Sequence, residues 1–129
     1  MDEPLFLTIE EVVTLHDVQL SRFGGCAGLR DAGLLASAVA MPLAGFGEHF
    51  AHADIFEMAA AYLFHLVQNH PFVDGDKRVG FHAAYTFLRM NGVELVMPQG
   101  TAYDLVIATA EGRTTKQDIA AVFREHART

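Results

Sequence analysis

The chain has 129 residues, 51% of them hydrophobic, and a formal charge of −7. That suits one domain over residues 1–129 with a core that needs no staples, and the dispersed basic residues argue against a nucleic-acid or anionic-membrane surface. The single cysteine, Cys26, excludes an internal disulfide, no N-terminal stretch has the pattern of a secretory leader, and the longest apolar run is broken by Glu57, His65 and Gln68, so the expected home is a reducing cytoplasm.

In chain order the expected elements are all helical. Thr8 and Glu11 have capping-box spacing, and Val12, Val13, Leu15, Val18 and Leu20 follow at helical intervals until Gly24-Gly25. Asp31 caps a shorter helix that ends by Pro42. Residues 43–53, Leu43 to Ala53, show no helical period and read as a loop or flap over whatever site the protein carries. Asp54 caps a helix that runs to Pro71 and is apolar around most of its circumference, which predicts neighbours on several sides. Asp76 is expected to cap the next helix, which stops at Asn91-Gly92. "VELVMP" reads as a short extended link, Thr101 as a cap for a helix through Ala110, and Thr114 or Thr115 as a cap for a last helix through His126. The expected fold class is all-α, a small helical bundle with the 71–76 connection joining its two central core helices.

That connection carries the chemistry. In "NHPFVDGDKRVG", Lys77 and Arg78 stand at a helix start, where the exposed N–H groups disfavour cations. The placement makes sense if an anion is expected: the first-turn N–H groups with the two side chains form a cup suited to phosphate. His70 is a candidate general base, Asp74 a candidate Mg2+ ligand, and Phe72 an anchor packing inward. Each has an ordinary structural role as well, a helix-end histidine, a turn Asp-Gly pair and a core phenylalanine; their combination points further.

His70-Pro71-Phe72-Val73-Asp74-Gly75-Asp76-Lys77-Arg78 resembles the Fic/Doc signature: His, any, Phe, any, Asp or Asn, Gly or Ala, Asn, Lys or Gly, Arg or Lys. Lys77, "GLRDAGLLASAV" and "FLRMNG" are similar to the Doc, or death-on-curing, branch, so the likeness covers most of the chain. The resemblance implies a small helical Fic/Doc bundle. It implies His70 as general base, Phe72 as structural anchor, Gly75, Asp76, Lys77 and Arg78 as the nucleotide-phosphate segment, and Asp74 as the Mg2+ ligand, with ATP and Mg2+ as cofactors. It also implies a toxin of a toxin–antitoxin module, a kinase that passes the γ-phosphate of ATP to a hydroxyl of a translation factor such as elongation factor Tu. A cognate antitoxin with a helix-forming inhibitory segment would be its partner. The alternative within the family is adenylyl transfer, whose members carry a second glycine where this chain has Lys77.

Asp76 departs from the usual Asn. A carboxylate beside a phosphate cup predicts either that Asp74 and Asp76 share the metal ion or that the enzyme is altered or inactive and serves as a binding module. Glu111-Gly112 is the one Glu-Gly or Glu-Asn pair, and Ile107 four positions before Glu111 departs from the Ser or Thr of the family's internal inhibitory helix, so any brake is expected in trans. Elsewhere, His49 and His52 are candidate metal ligands without a third partner, His65 and His82 read as core histidines, and Cys26 as a small buried residue.

Overall fold

A computed structural model describes residues 3–46, 49, 50, 52 and 54–128. Among these, six helices are α1 Ile9–Phe23, α2 Ala32–Ala40, α3 Ile55–Asn69, α4 Asp76–Met90, α5 Gln99–Ala110 and α6 Lys116–Glu125. The expected all-α class holds. The strands are two-residue pairings: β1 Gly45–Phe46 with β2 His49–Phe50, and β3 Glu94–Leu95 with β4 Ala127–Arg128.

The helix starts follow local chemistry. Thr8 accepts from the Glu11 N–H at 3.1 Å while Glu11 returns a bond to the Thr8 N–H at 2.9 Å, and Thr115 forms the same reciprocal box with Asp118. Asp31 and Asp54 cap α2 and α3 through the N–H groups of Leu34 and Glu57. Two expected caps differ. α5 begins at Gln99 after Pro98, whose fixed φ presets the turn, so Thr101 lies inside the helix. α4 is preceded by Gly75 in the left-handed region (φ 83°), which makes Asp76 the first helical residue and leaves the helix with no side-chain cap.

α3 is the centre of the bundle and packs against α4, α6, α2 and α5. Ala59, Ala60, Ala61, Tyr62, Leu63 and Leu66 are fully buried around its circumference, as an all-round apolar helix requires. The Tyr62 hydroxyl accepts the Leu7 N–H at 2.9 Å, which ties the N-terminal segment to the core, and burial pushes its pKa up to about 12. On α4, Gly80 lets the two central helices approach: a Cβ there would lie 3.0 Å from Val67 Cγ2 and 3.3 Å from Leu63 Cδ1. None of the helices is long and apolar enough to cross a membrane among the described residues.

Part of the expected flap is the β1–β2 hairpin after a 3-10 turn, Met41–Leu43; Gly47, Glu48, Ala51 and Ala53 lie outside the described residues. The "VELVMP" link holds β3, which is zipped to the chain's end. Cys26, expected to be buried, is exposed because the 24–30 connection runs over the surface. His52 is buried while the His49 side chain is not described, and no group of three His, Cys, Asp or Glu among the described residues is placed to hold a metal ion. Instead, the Nε2 atoms of His52 and His65 face Lys116 Nζ at 3.4 and 3.0 Å. Burial, reinforced by that ammonium, lowers the His65 pKa to about 4 and moves His52 in the same direction. His65 and His82 are half-buried; burial also depresses His82.

Candidate active site

The 71–75 connection between the two most buried helices is stitched to the segment that joins α1 to α2. Pro71 O accepts the N–H groups of Arg30 and Asp31 at 2.7 and 3.0 Å, Val73 N–H donates to Gly28 O at 2.9 Å, and Leu29 bridges to Phe72. Phe72 is 2% exposed, and its ring stacks on His16 at 3.8 Å between centroids. His16, itself buried, places Nε2 2.7 Å from Asp74 O. The loop is therefore held from below by an aromatic pair and from the side by a short backbone ladder.

His70 ends α3 in the left-handed conformation (φ 49°, ψ 56°), the one described non-glycine residue with positive φ. A side chain held there costs on the order of 1 kcal/mol and persists only where its surroundings over-determine it. They do so twice. Arg30 spans the last carbonyls of α3, Nε donating to His70 O at 2.6 Å and an NH2 group to Asn69 O at 2.9 Å. On the imidazole, Nδ1 is hydrogen-bonded to Asp76 Oδ2. The His70 side chain is 55% exposed, and its Nε2 makes no hydrogen bond to a described residue, so that nitrogen faces outward.

Asp76 thus turns back toward the loop: Oδ2 meets His70 and Oδ1 accepts the Phe72 N–H at 3.0 Å, with the carboxyl nearly buried. In place of the expected helix cap, Asp76 partners the His70 imidazole, because Gly75 moves the helix boundary one residue earlier. The first turn of α4 is left open to an external acceptor, with Lys77 and Arg78 exposed beside it. Arg78 lies over the Phe23 ring at 4.7 Å, which steadies the cation at the end of α1.

Asp74 is exposed and takes the Cys26 N–H at 3.1 Å and the Gly75 N–H at 2.9 Å. These bonds hold its carboxyl below the usual aspartate range, with smaller contributions from Arg78 and Lys77. An exposed carboxylate whose ionised form is favoured in this way, beside an open helix N-terminus, fits a Mg2+ ion that is also bound to phosphate. Asp76 is a poorer fit, since the group is only 7% exposed and one of its oxygens is held by the His70 imidazole. Gly25 makes the Asp74 position possible: its φ of 121° needs glycine, and a Cβ there would stand 2.7 Å from Asp74 Oδ2.

Two clefts meet at this point and share Asp74, Gly75, Asp76 and Lys77 as a common wall. The smaller, about 450 Å³, has His70 on its side. The larger, about 790 Å³, continues past Arg78 between Phe81, Tyr85, Met97 and Tyr103. A phosphorylated ligand bridging the two would have its anionic part at the uncapped start of α4 beside Lys77 and Arg78, with an apolar trough for the remainder.

The Fic/DOC family model matches residues 6–88, which includes α1, the loop and nearly all of α4. The chain belongs to the Fic/DOC family. It is similar to "Protein kinase doc" of Escherichia phage P1, 34% identical over 115 residues that make up 89% of this chain and 90% of the relative. It is also similar to "Toxin Doc" of Mycolicibacterium smegmatis, 43% identical over 90 residues, 70% of this chain and 67% of the relative. Both relatives place it in the Doc branch. Arg30, His16, Phe23 and the Cys26 N–H are parts of this Fic/DOC site that sequence reading missed. "GLRDAGLLASAV" is the stretch that contains Arg30, but its reach to residues 69 and 70 has no local sign.

Proposed function

We propose that the protein is a Doc-type toxin enzyme that transfers the γ-phosphoryl group of ATP to a hydroxyl of a protein, the expected target being a translation factor of the elongation factor Tu type. The observation that carries this reading is the junction of an outward-facing His70 Nε2 with the uncapped, Lys77- and Arg78-flanked start of α4. The names of the two relatives, one a kinase and one a toxin, support it.

In this reading the substrate hydroxyl enters the smaller cleft and yields its proton to His70 Nε2 as its oxygen bonds to the γ-phosphorus. The bond from that phosphorus to the β,γ-bridging oxygen breaks, and ADP leaves. The α4 N–H groups, Lys77 and Arg78 hold the phosphate oxygens, and Phe72 keeps the loop rigid. Asp74 would hold Mg2+, which neutralises phosphate charge when bound. Growth arrest follows from loss of translation in the cytoplasm. The brake is a cognate antitoxin whose segment folds as an amphipathic helix into the apolar trough, its acidic residues meeting Arg78.

ATP labelled at the γ or the α position, incubated with the protein and a bacterial extract, tests the chemistry. Label from the γ position on a protein is the expected result. Label from the α position assigns adenylyl transfer, and none from either removes the enzyme. Co-expression with the product of the adjacent gene should relieve growth arrest.

A further inference from the structure

We infer that Asp76 is a positioning residue that sets the tautomer of His70, placing the proton on Nδ1 and leaving Nε2 as the base. The inference deepens the role of His70 in the transfer reaction and rests on that reading for its kinetic arm only. The argument is one of donors and acceptors. Phe72 N–H can only donate, and it takes Asp76 Oδ1. The ionised carboxylate can only accept, so the partner of Oδ2, His70 Nδ1, must bring the hydrogen. Asp76 is 7% exposed and each oxygen has its protein partner, so the arrangement has little freedom to invert. Arg30 fixes the His70 backbone in the same pose.

Asparagine held in this pose has one acceptor oxygen for two donors: with Oδ1 on Phe72 its NH2 faces Nδ1 and drives the proton to Nε2; with Oδ1 on His70 the NH2 opposes the Phe72 N–H. A site with Asn at this position keeps Nε2 as the base only where the amide is turned elsewhere, for instance to cap the helix. The carboxylate where the family signature has Asn is, in this chain, part of the base and not a brake on the phosphate cup.

Nitrogen-15 NMR of the His70 ring at about pH 8.5, above the ordinary imidazole range, reads the tautomer directly, with the signals assigned by their absence in His70→Ala. The wild type should carry the proton on Nδ1; a proton on Nε2 overturns the inference without any variant. In Asp76→Ala the proton should move to Nε2, and kcat for transfer should fall about 100-fold or more while the KM for ATP changes little. Retention of the Nδ1 proton in that variant, or kcat within about threefold of wild type (a margin far inside the loss a missing base brings), also overturns it. A wild-type protein without transfer activity would instead remove the proposed reaction and leave the tautomer measurement standing.

Discussion

His70 occupies a backbone conformation that a side chain adopts at a cost, and the groups that hold it there are the ones a mechanism needs held. Replacing it with alanine removes the one imidazole at the junction of the clefts; transfer should fall about 10²- to 10⁴-fold with the melting temperature nearly unchanged. Growth arrest as strong as wild type in His70→Ala would assign the base elsewhere. Arg30→Ala tests the clamp. It uncouples the last carbonyls of α3 from the α1–α2 connection, and a displaced base should slow turnover by about 10- to 100-fold, measured alongside thermal unfolding so that a loosened site is told from a loosened fold. At this scale the motif residues were legible because they are contiguous. The direction of Asp76 was not, because capping or not capping α4 turns on the left-handed φ of Gly75, one residue away.

At the scale of elements, the site is the meeting of two helix ends, His70 closing α3 and Asp76 opening α4, so its geometry depends on how closely those helices lie. Gly80 sets that spacing. The added methyl of Gly80→Ala would press on Val67 and Leu63, and overpacking of about 1–3 kcal/mol is offset by at most about 1 kcal/mol of better helix propensity. A net loss of roughly 1–2 kcal/mol in urea unfolding is expected, with lower transfer activity; unchanged stability would mean that α3 and α4 yield without strain. The helices themselves were legible from caps and periodicity, Thr8 with Glu11 above all. The small strands were not, since two-residue strands such as Glu94–Leu95 exist only because Ala127–Arg128 arrives beside them.

Across the whole molecule the titrating histidines make stability depend on pH. His65 has a folded pKa of about 4 because burial and then Lys116 disfavour its charge, and burial lowers His52 and His82 as well. The unfolded chain, with histidines near 6.5, therefore binds more protons than the folded one between about pH 6.5 and 4, so stability is full above that window and declines as pH falls through it. Discounted for partial exposure, His65 alone should account for about 1–2 kcal/mol by the acid end. Urea unfolding of wild type and His65→Gln from pH 7 to 4.5 checks this: the variant should show the shallower decline, and parallel curves would exclude His65 as a source. The sequence alone determined the all-α class, the helix starts after Thr8, Asp31, Asp54 and Thr115, the stops at Gly24 and Asn91, and the nine-residue loop with its family, because each depends on residues within a turn or two of one another. Only the tertiary structure decided who holds the loop: Arg30 on the carbonyls of 69 and 70, His16 beneath Phe72 and Asp74, and the Cys26 N–H on the Asp74 carboxylate. Those partners lie 39 to 58 positions apart in the chain, and a hydrogen-bonding group takes whichever complement packing brings to it.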